Sequence, residues 1–265
     1  MHLAALYRYP LKSCAAEALN LASVGPLGLA HDRTWMLVDA NGRFITGREQ
    51  PALVRVRVAL SEHGARFEFP SGAAVQVAHA AMREPLHTQV WKDAAVGLAG
   101  STEADAAFSD YLDLSCRLLW LGTSAGARVR SKEPRTGLEV SFADGFPLLL
   151  LGQASVEAVN LTLARPVGAR HFRPNLLVAG SAAFEEDAWQ GFRVGEVEFD
   201  VVNRCTRCIF TTVDPETGKK SEDREPLITL SKHRRFDEGV CLGVNVVVRR
   251  PGVLRVGDAF ELIKN

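Results

Sequence analysis

Apolar and polar residues alternate along the stretch 54–77, and this alternation restricts the chain to a fold rich in short strands. Val54, Val56, Val58 and Leu60 alternate with arginine and alanine, which is the period of a half-buried strand. Turn-forming residues separate two further alternating runs, Phe67 with Phe69 and Val75 with Val77. This part of the chain predicts a meander of short strands.

Two segments change to a helical period. Residues 102–113 carry apolar residues at helical spacing, with Thr102 and Asp105 resembling a capping box, and residues 154–164 have one apolar side. The polar, glycine-rich segment 122–140 predicts a loop, either a lid or a disordered stretch. Further strands are predicted at 117–121, 176–179, 194–202, 208–213, 243–249 and 253–263. Because helices are few and do not alternate with strands, the pattern favours a β-rich α+β fold containing a barrel over a Rossmann sheet.

Composition excludes several classes of protein. The 265 residues suffice for one large or two small domains, and equal numbers of basic and acidic residues argue against a nucleic-acid partner. The longest apolar run, 146–151, is far shorter than a membrane span, and the N-terminus does not resemble a signal peptide. Five cysteines do not form a secreted disulfide framework and fit a reducing compartment. We expect a cytoplasmic protein with neither membrane nor nucleic acid as partner.

Two cysteines three positions apart, Cys205 and Cys208, raise a chemical question. A structural zinc site usually needs a second pair of ligands, which the sequence lacks. A thioredoxin-type dithiol begins a helix, whereas residues 209–213 are strongly β-prone. A buried structural cysteine remains possible. The flanking Arg204 and Arg207 favour instead a thiolate beside a phosphate-binding group, and hence a soft metal carried by a phosphorylated cofactor.

Other basic loops have the composition of anion-binding sites. Lys12 and Ser13 follow a Tyr-Pro turn, Arg33 precedes an apolar strand, and Arg173 and Asn175 precede the strand predicted at 176. Each alone is more often a solvated loop, and spacing does not show whether they converge.

Six segments together resemble the MOSC superfamily, in particular the amidoxime-reducing components and the bacterial YcbX-type proteins. They are YPLKSC (9–14), LAHDRTWMLVDANGRFITGREQP (29–51), SFADGFPLLLLGQAS (141–155), HFRPNLLV (171–178), CTRCIFTTVDPETG (205–218) and VLRVGD (253–258). The resemblance covers nearly the whole chain. It implies an N-terminal β-barrel domain over residues 1–95 and a MOSC β-barrel domain over residues 96–265, with a cofactor site between them.

The resemblance also implies a molybdenum cofactor, in which a pterin dithiolene and one protein cysteine hold the metal. The second cysteine of the block, Cys208, matches the catalytic metal ligand, and Cys205 is a nearby non-ligand. The residues that match contacts to the pterin or its phosphate are Lys12, Ser13, Arg33, Asp144, Gly145, Arg173, Asn175 and Arg207. Asp214 either forms a turn before Pro215 or acts as an acid near the site, and the turn is favoured.

The implied activity is reduction of N-hydroxylated compounds such as amidoximes, hydroxylamines and N-hydroxylated bases. No cysteine cluster follows Cys241, so electrons are expected from a separate protein: a ferredoxin, a flavoprotein or a b-type cytochrome. The alternatives are a non-catalytic carrier of the cofactor or of sulfur, and a binding module without metal. The resemblance leaves pyridoxal phosphate binding possible as a property of the family.

Overall fold

The computed structural model describes residues 1–122 and 128–263, which form a β-rich α+β fold. Its α-helices are α1 (Thr102–Leu112), α2 (Gln153–Asn160) and α3 (Leu227–His233), and its short 3-10 helices are Pro51–Arg55, His79–Ala81, Ala169–Phe172, Glu185–Ala188 and Ile209–Thr212. The strands are β1 (His2–Arg8), β2 (Glu17–Leu19), β3 (Leu21–Gly25), β4 (Gly28–Leu29), β5 (Trp35–Asp39), β6 (Arg57–Ser61), β7 (Gly64–Glu68), β8 (Ala74–Ala78), β9 (Glu84–Val90), β10 (Asp93–Ala99), β11 (Cys116–Trp120), β12 (Arg128–Val129), β13 (Glu139–Val140), β14 (Leu148–Gly152), β15 (Leu176–Ala179), β16 (Gly191–Val194), β17 (Val197–Thr206), β18 (Arg235–Phe236), β19 (Gly239–Arg250), β20 (Gly252–Arg255) and β21 (Phe260–Leu262).

Two large sheets carry the architecture. A nine-stranded sheet has the order β2-β1-β15-β14-β19-β17-β16-β21, with β18 paired to β19, and a six-stranded sheet has the order β13-β12-β10-β11-β5, with β9 paired to β10. Two three-stranded sheets, β20-β3-β4 and β6-β7-β8, complete the fold. Both large sheets contain strands from before and after residue 95. The predicted division into domains at that position stays a prediction.

The alternating strands bury one face each, as their period predicts. Val58, Phe67 and Val75 project from the β6-β7-β8 sheet into a core that also contains Trp35 and Phe108 of α1. Trp35 and Phe67 meet edge to face at 5.3 Å between ring centroids. A second core lies on the nine-stranded sheet and is built from strand residues such as Leu150, Phe192 and Phe260. Packing in these two cores holds the strands in position, and the candidate site lies in segments that adjoin the ends of these strands.

Both predicted helices exist, with different ends. The N-cap of α1 is Ser101 rather than Thr102, because the Ser101 hydroxyl accepts a hydrogen bond from the Ala104 amide at 3.2 Å. The second helix ends at Asn160 rather than at 164. Its Asn160 side chain exchanges two hydrogen bonds with the backbone of Val167, at 2.8 and 2.9 Å, and this contact reverses the chain.

Several predicted strands are shifted or wrong. The strand expected from Val54 begins at Arg57, because Pro51–Arg55 forms a 3-10 helix. The prediction at 253–263 is divided into β20 and β21 by a turn that the Asp258 carboxylate closes on the Arg255 amide at 2.8 Å. The strand at 176–179 is confirmed, and β11, β17 and β19 lie at the predicted places with bounds shifted by one to four residues.

The prediction of a strand at 208–213 is wrong. Residues Ile209–Thr212 form a 3-10 helix, in which the Thr211 and Thr212 hydroxyls donate to carbonyl oxygens three residues earlier, at 2.9 and 2.7 Å. The local hydroxyl bonds override the β-propensity of these residues. The β-prone argument against a thioredoxin-type dithiol therefore fails, although one 3-10 turn is not the α-helix that such a site needs.

The segment 122–140 is only partly the loop that was predicted. Residues 123–127 lie outside the described residues, so the choice between lid and disorder is not decided for them. Beyond them, β12 pairs with β13, and Arg128 is fully buried against Asp93 at 2.9 Å. This buried ion pair orders a polar, glycine-rich sequence that has no apolar period of its own.

Candidate functional site

A network of hydrogen bonds between charged side chains connects Lys12, which follows β1, to Cys208. The Arg48 Nε donates to the Cys208 sulfur at 3.2 Å, and Arg48 Nη2 donates to Asp144 Oδ2 at 2.6 Å. The other Asp144 oxygen accepts from Lys12 Nζ at 2.5 Å, and the same Nζ donates to the Phe142 carbonyl at 2.7 Å. Three predicted residues, Lys12, Asp144 and Cys208, are thus brought together. Arg48 joins them and was not predicted.

These contacts set the charge states of the network. The positive charges of Lys12 and Arg48 hold the pKa of the Asp144 carboxyl well below its usual range. Burial lowers the pKa of Lys12 to about 8, and the neighbouring Asp144 opposes this shift without cancelling it. At neutral pH the network therefore carries one carboxylate and two cations.

The buried ammonium of Lys12 allows a test by pH. Its pKa of about 8 lies below the ~10.4 of lysine in an unfolded chain, so the folded protein binds fewer protons between these values. We expect the free energy of unfolding to rise with pH across this window, by at most roughly 3 kcal/mol, and to gain nothing from Lys12 at lower pH. Urea denaturation of wild type and Lys12→Met across the window measures the difference. The same slope in both proteins would contradict the assignment.

Arg33 and Asn175 form a second group behind the first. Arg33 Nη1 donates to the Asn175 side-chain oxygen at 2.9 Å and to the buried Asp32 carboxylate. The Asn175 oxygen also accepts from the Leu149 amide at 3.2 Å, and its amide group donates to the Tyr7 carbonyl at 3.1 Å. Asn175 is completely buried and satisfied by protein groups, so it holds β1, β14 and Arg33 in place.

Arg173 and Arg207 are cations with spare hydrogen-bonding capacity. Arg173 lies over the Tyr9 ring at 4.0 Å and donates from Nη1 to the Cys14 carbonyl at 2.8 Å, while Arg207 Nη2 donates to the Phe172 carbonyl at 2.6 Å. Arg173 Nη2 and Arg207 Nε are buried and have no hydrogen-bond partner among the residues that the structure describes. Within residues 1–122 and 128–263, neither arginine has a carboxylate within salt-bridge distance. Burying unpaired donors is unfavourable, so both side chains suit an anionic ligand.

The two remaining predicted residues, Ser13 and Gly145, are described by their backbone geometry and contacts. Ser13 is buried in a left-handed turn, with φ of 72°, directly after Lys12. The Gly145 carbonyl accepts from Arg130 Nη1 at 2.6 Å, and Arg128 donates to the carbonyls of Ala143 and Asp144. Arg128 and Arg130 therefore stabilise the turn 143–145 by hydrogen bonds to its carbonyl oxygens. The polar sequence of 122–140 did not indicate this role.

The two cysteines of the close pair have different environments. Both are free thiols; Cys208 contacts Arg48, whereas the Cys205 sulfur accepts from Arg207 Nη1 at 3.1 Å.

Asp214 accepts from the amides of Glu216 and Thr217 at 2.9 and 2.8 Å. The favoured interpretation of Asp214 as a turn-forming residue is confirmed.

The site places the free sulfurs of Cys205 and Cys208 beside arginines, an arrangement that suits an anionic, phosphorylated cofactor that carries its own metal. Within the described residues, no group of three or more His, Cys, Asp or Glu side chains is placed to hold a metal by itself. Arg33, Arg173 and Arg207 supply positive charge of the kind that phosphate groups bind to. Cys208 is half-buried and supplies the sulfur.

A separate cleft of about 460 Å³ lies along β17, lined among others by Asp187, Asp200 and Arg204, and none of the predicted site residues lines it. Its arginines are already within ion-pair distance of carboxylates; Arg204 lies 3.2 Å from Glu238.

In the part of the chain that the structure describes, no helix is long and apolar enough to cross a membrane.

Two family models match the chain. Residues 1–115 match the MOSC N-terminal beta barrel domain, and residues 137–261 match the MOSC domain.

The chain is also similar to named proteins along most of its length. Mitochondrial amidoxime-reducing component 1 of Mus musculus is 31% identical, over 98% of this chain and 82% of that protein. Mitochondrial amidoxime reducing component 2 of Homo sapiens is 31% identical, over 97% of this chain and 82% of that protein. Mitochondrial amidoxime-reducing component 1 of Danio rerio is 33% identical, over 94% of this chain and 81% of that protein.

Among solved structures, the YuaD protein of Bacillus subtilis aligns with a TM-score of 0.43 and 9% identity, over 98% of this chain and 93% of that chain.

Proposed function

Because the chain belongs to the MOSC family, with an N-terminal MOSC β-barrel domain and a MOSC domain, we propose that it is a molybdenum-cofactor-dependent oxidoreductase that reduces N-hydroxylated compounds. The named relatives are amidoxime-reducing components. We further propose that the division lies near residue 95, with the site between the two parts. Lys12 and Arg48 come from the first part, and Asp144 and Cys208 from the second.

One observation carries the proposal: the free sulfur of Cys208 lies in the same region as two arginines, Arg173 and Arg207, that have no carboxylate within salt-bridge distance among the described residues. Arg173 and Arg207 each have one buried nitrogen without a hydrogen-bond partner among the described residues, and the charge of an anionic cofactor would compensate these two cations. In this proposal Cys208 is the metal ligand and catalytic residue. The residues proposed to form the cofactor site are Lys12, Ser13, Arg33, Asp144, Gly145, Arg173, Asn175 and Arg207, and Asn175, which is fully buried, acts through its contact with Arg33.

When bound, the cofactor supplies the two electrons that cleave the N–O bond, and the oxygen leaves as water. The protein's own groups bind and orient. Arg48 holds the Cys208 sulfur through a charge-assisted hydrogen bond, and Asp144 fixes Arg48 from the other side. The contacts of Asn175 with three other segments keep Arg33 directed into the site.

The electrons come, in this proposal, from a separate ferredoxin, flavoprotein or b-type cytochrome, and the substrate is a small N-hydroxylated molecule. All five cysteines are free thiols, which supports a reducing compartment such as the cytoplasm. The relatives named above are mitochondrial. None of their names concerns pyridoxal phosphate, and we do not propose binding of that cofactor.

The test is to express the chain in a host that makes the cofactor and to measure molybdenum, pterin and activity. We expect stoichiometric molybdenum and pterin, and conversion of benzamidoxime to benzamidine with reduced methyl viologen as electron donor. Absence of both molybdenum and pterin would overturn the proposal. Full cofactor content without reduction, together with a mass increase of one sulfur atom on Cys208, would favour the carrier alternative instead.

A further inference from the structure

Trp91 is a large aromatic residue in a position that a hairpin turn normally gives to glycine. It follows Val90 at the end of β9 and is the first of two residues connecting β9 to β10, which pair as a regular antiparallel hairpin. Its φ is 60°, in the left-handed region, and its side chain is 48% exposed. Glycine is favoured at such a position, and an exposed tryptophan adds nothing to the core.

The contacts of Trp91 connect this turn to the candidate site. The Arg48 guanidinium lies over the Trp91 ring at 4.8 Å from its centroid, and the same guanidinium donates to the Cys208 sulfur at 3.2 Å. One guanidinium group therefore separates the Trp91 ring from the Cys208 sulfur. Phe44 meets the Trp91 ring edge to face at 5.2 Å, and Lys12 lies 5.4 Å from the Phe44 ring.

These contacts form a continuous series in which two adjoining aromatic rings, Phe44 and Trp91, lie between the cations Lys12 and Arg48. Asp144 joins the two cations by pairing with both, and nearly half of the Trp91 indole is exposed. Nearly half of the Trp91 side chain is exposed, and an exposed indole can pack against another aromatic ring in an offset or edge-to-face arrangement. Because Arg48 already lies against the indole and Lys12 is close behind Phe44, a cationic ligand would be repelled here.

On the premise of the proposed function, we propose that Trp91 is a specificity-determining residue that binds the ring of uncharged aromatic amidoximes. The aromatic ring of the substrate packs against the exposed part of the indole, and its N–O group is then directed past Arg48 towards Cys208. Small aliphatic hydroxylamines have no ring to stack and gain nothing from Trp91. The amidine product takes up a proton at neutral pH, and the cations beside Trp91 then favour its release.

Trp91→Gly tests this inference, because glycine fits the left-handed turn and the hairpin should form as before. With reduced methyl viologen as donor, we expect the KM for benzamidoxime to rise about fivefold and its kcat to change little, consistent with the loss of one aromatic pair. The KM for N-methylhydroxylamine should stay within about twofold, because that substrate has no aromatic ring to lose a contact with. Trp91→Phe keeps a ring and should restore most of the benzamidoxime affinity.

Equal KM values for benzamidoxime in wild type and Trp91→Gly would overturn the inference, as would an equal loss for both substrates. If wild type with full cofactor content reduces neither substrate, the proposed function fails. Calorimetric titration of benzamidoxime into the cofactor-loaded wild type and Trp91→Gly then decides the role of Trp91 separately: weaker binding to the variant supports it, and equal binding overturns it.

Discussion

Cys208→Ala is expected to abolish N-hydroxy reduction and to loosen the metal, while Cys205→Ala should do neither. The two sulfurs are three residues apart, yet only that of Cys208 accepts from Arg48, within the network of Asp144 and Lys12. Cys205 contacts Arg207 instead, at 3.1 Å. A metal ligand must be held in place, and Arg48 donates a hydrogen bond to the Cys208 sulfur at 3.2 Å.

The measurement is molybdenum content after gel filtration, together with the rate of benzamidoxime reduction. Cys205→Ala is the matched control, because it removes a thiol from the same segment and leaves the Arg48 contact intact. Far-UV circular dichroism shows whether each variant is folded. A folded Cys208→Ala protein that keeps metal and activity would refute the assignment, and so would loss of both in Cys205→Ala.

The family resemblance identified the segments of the site, whereas the residues alone did not show that these segments meet. Lys12 and Asp144 are 132 positions apart, and Arg48 and Cys208 are 160 apart. Such contacts depend on how the strands are ordered in the sheets, and no local period encodes that order. Arg48 lies in a polar stretch, GREQP, in which an arginine is usually solvated. Its role follows only from the short distance between its Nε and the Cys208 sulfur.

Local patterns predicted strands and helices where the side chains act through packing, and failed where polar side chains bond to nearby backbone. The alternation of Val58 and Phe67 with polar residues was sufficient to place β6 and β7, since one face of each is buried. At 208–213 the β-branched threonines predict a strand, but their hydroxyls close a 3-10 turn. Propensity describes an average environment, and the segment after Cys208 departs from it.

The turn 143–145 depends on an ion pair that the sequence did not reveal. Arg128 is fully buried; it pairs with Asp93 at 2.9 Å and donates to the carbonyls of Ala143 and Asp144. Asp93 also accepts from the Ser131 amide at 3.0 Å. Asp93 therefore helps to position the Asp144 carboxylate between Lys12 and Arg48, because it pairs with Arg128, which in turn binds the backbone of this turn.

Asp93→Ala should be strongly destabilising, since it leaves the Arg128 guanidinium buried without a counter-charge. Removing one partner of a buried ion pair costs about 3–5 kcal/mol in free energy of unfolding, which for a chain of this size lowers Tm by roughly 10 °C. Thermal and urea denaturation measure the loss. Glu84→Ala is the control, because Glu84 pairs at 2.7 Å with the exposed Arg117 and is itself 64% exposed. Such a surface pair contributes about 1 kcal/mol or less, so equal losses in the two variants would show that burial of Arg128 does not determine the stability of this turn.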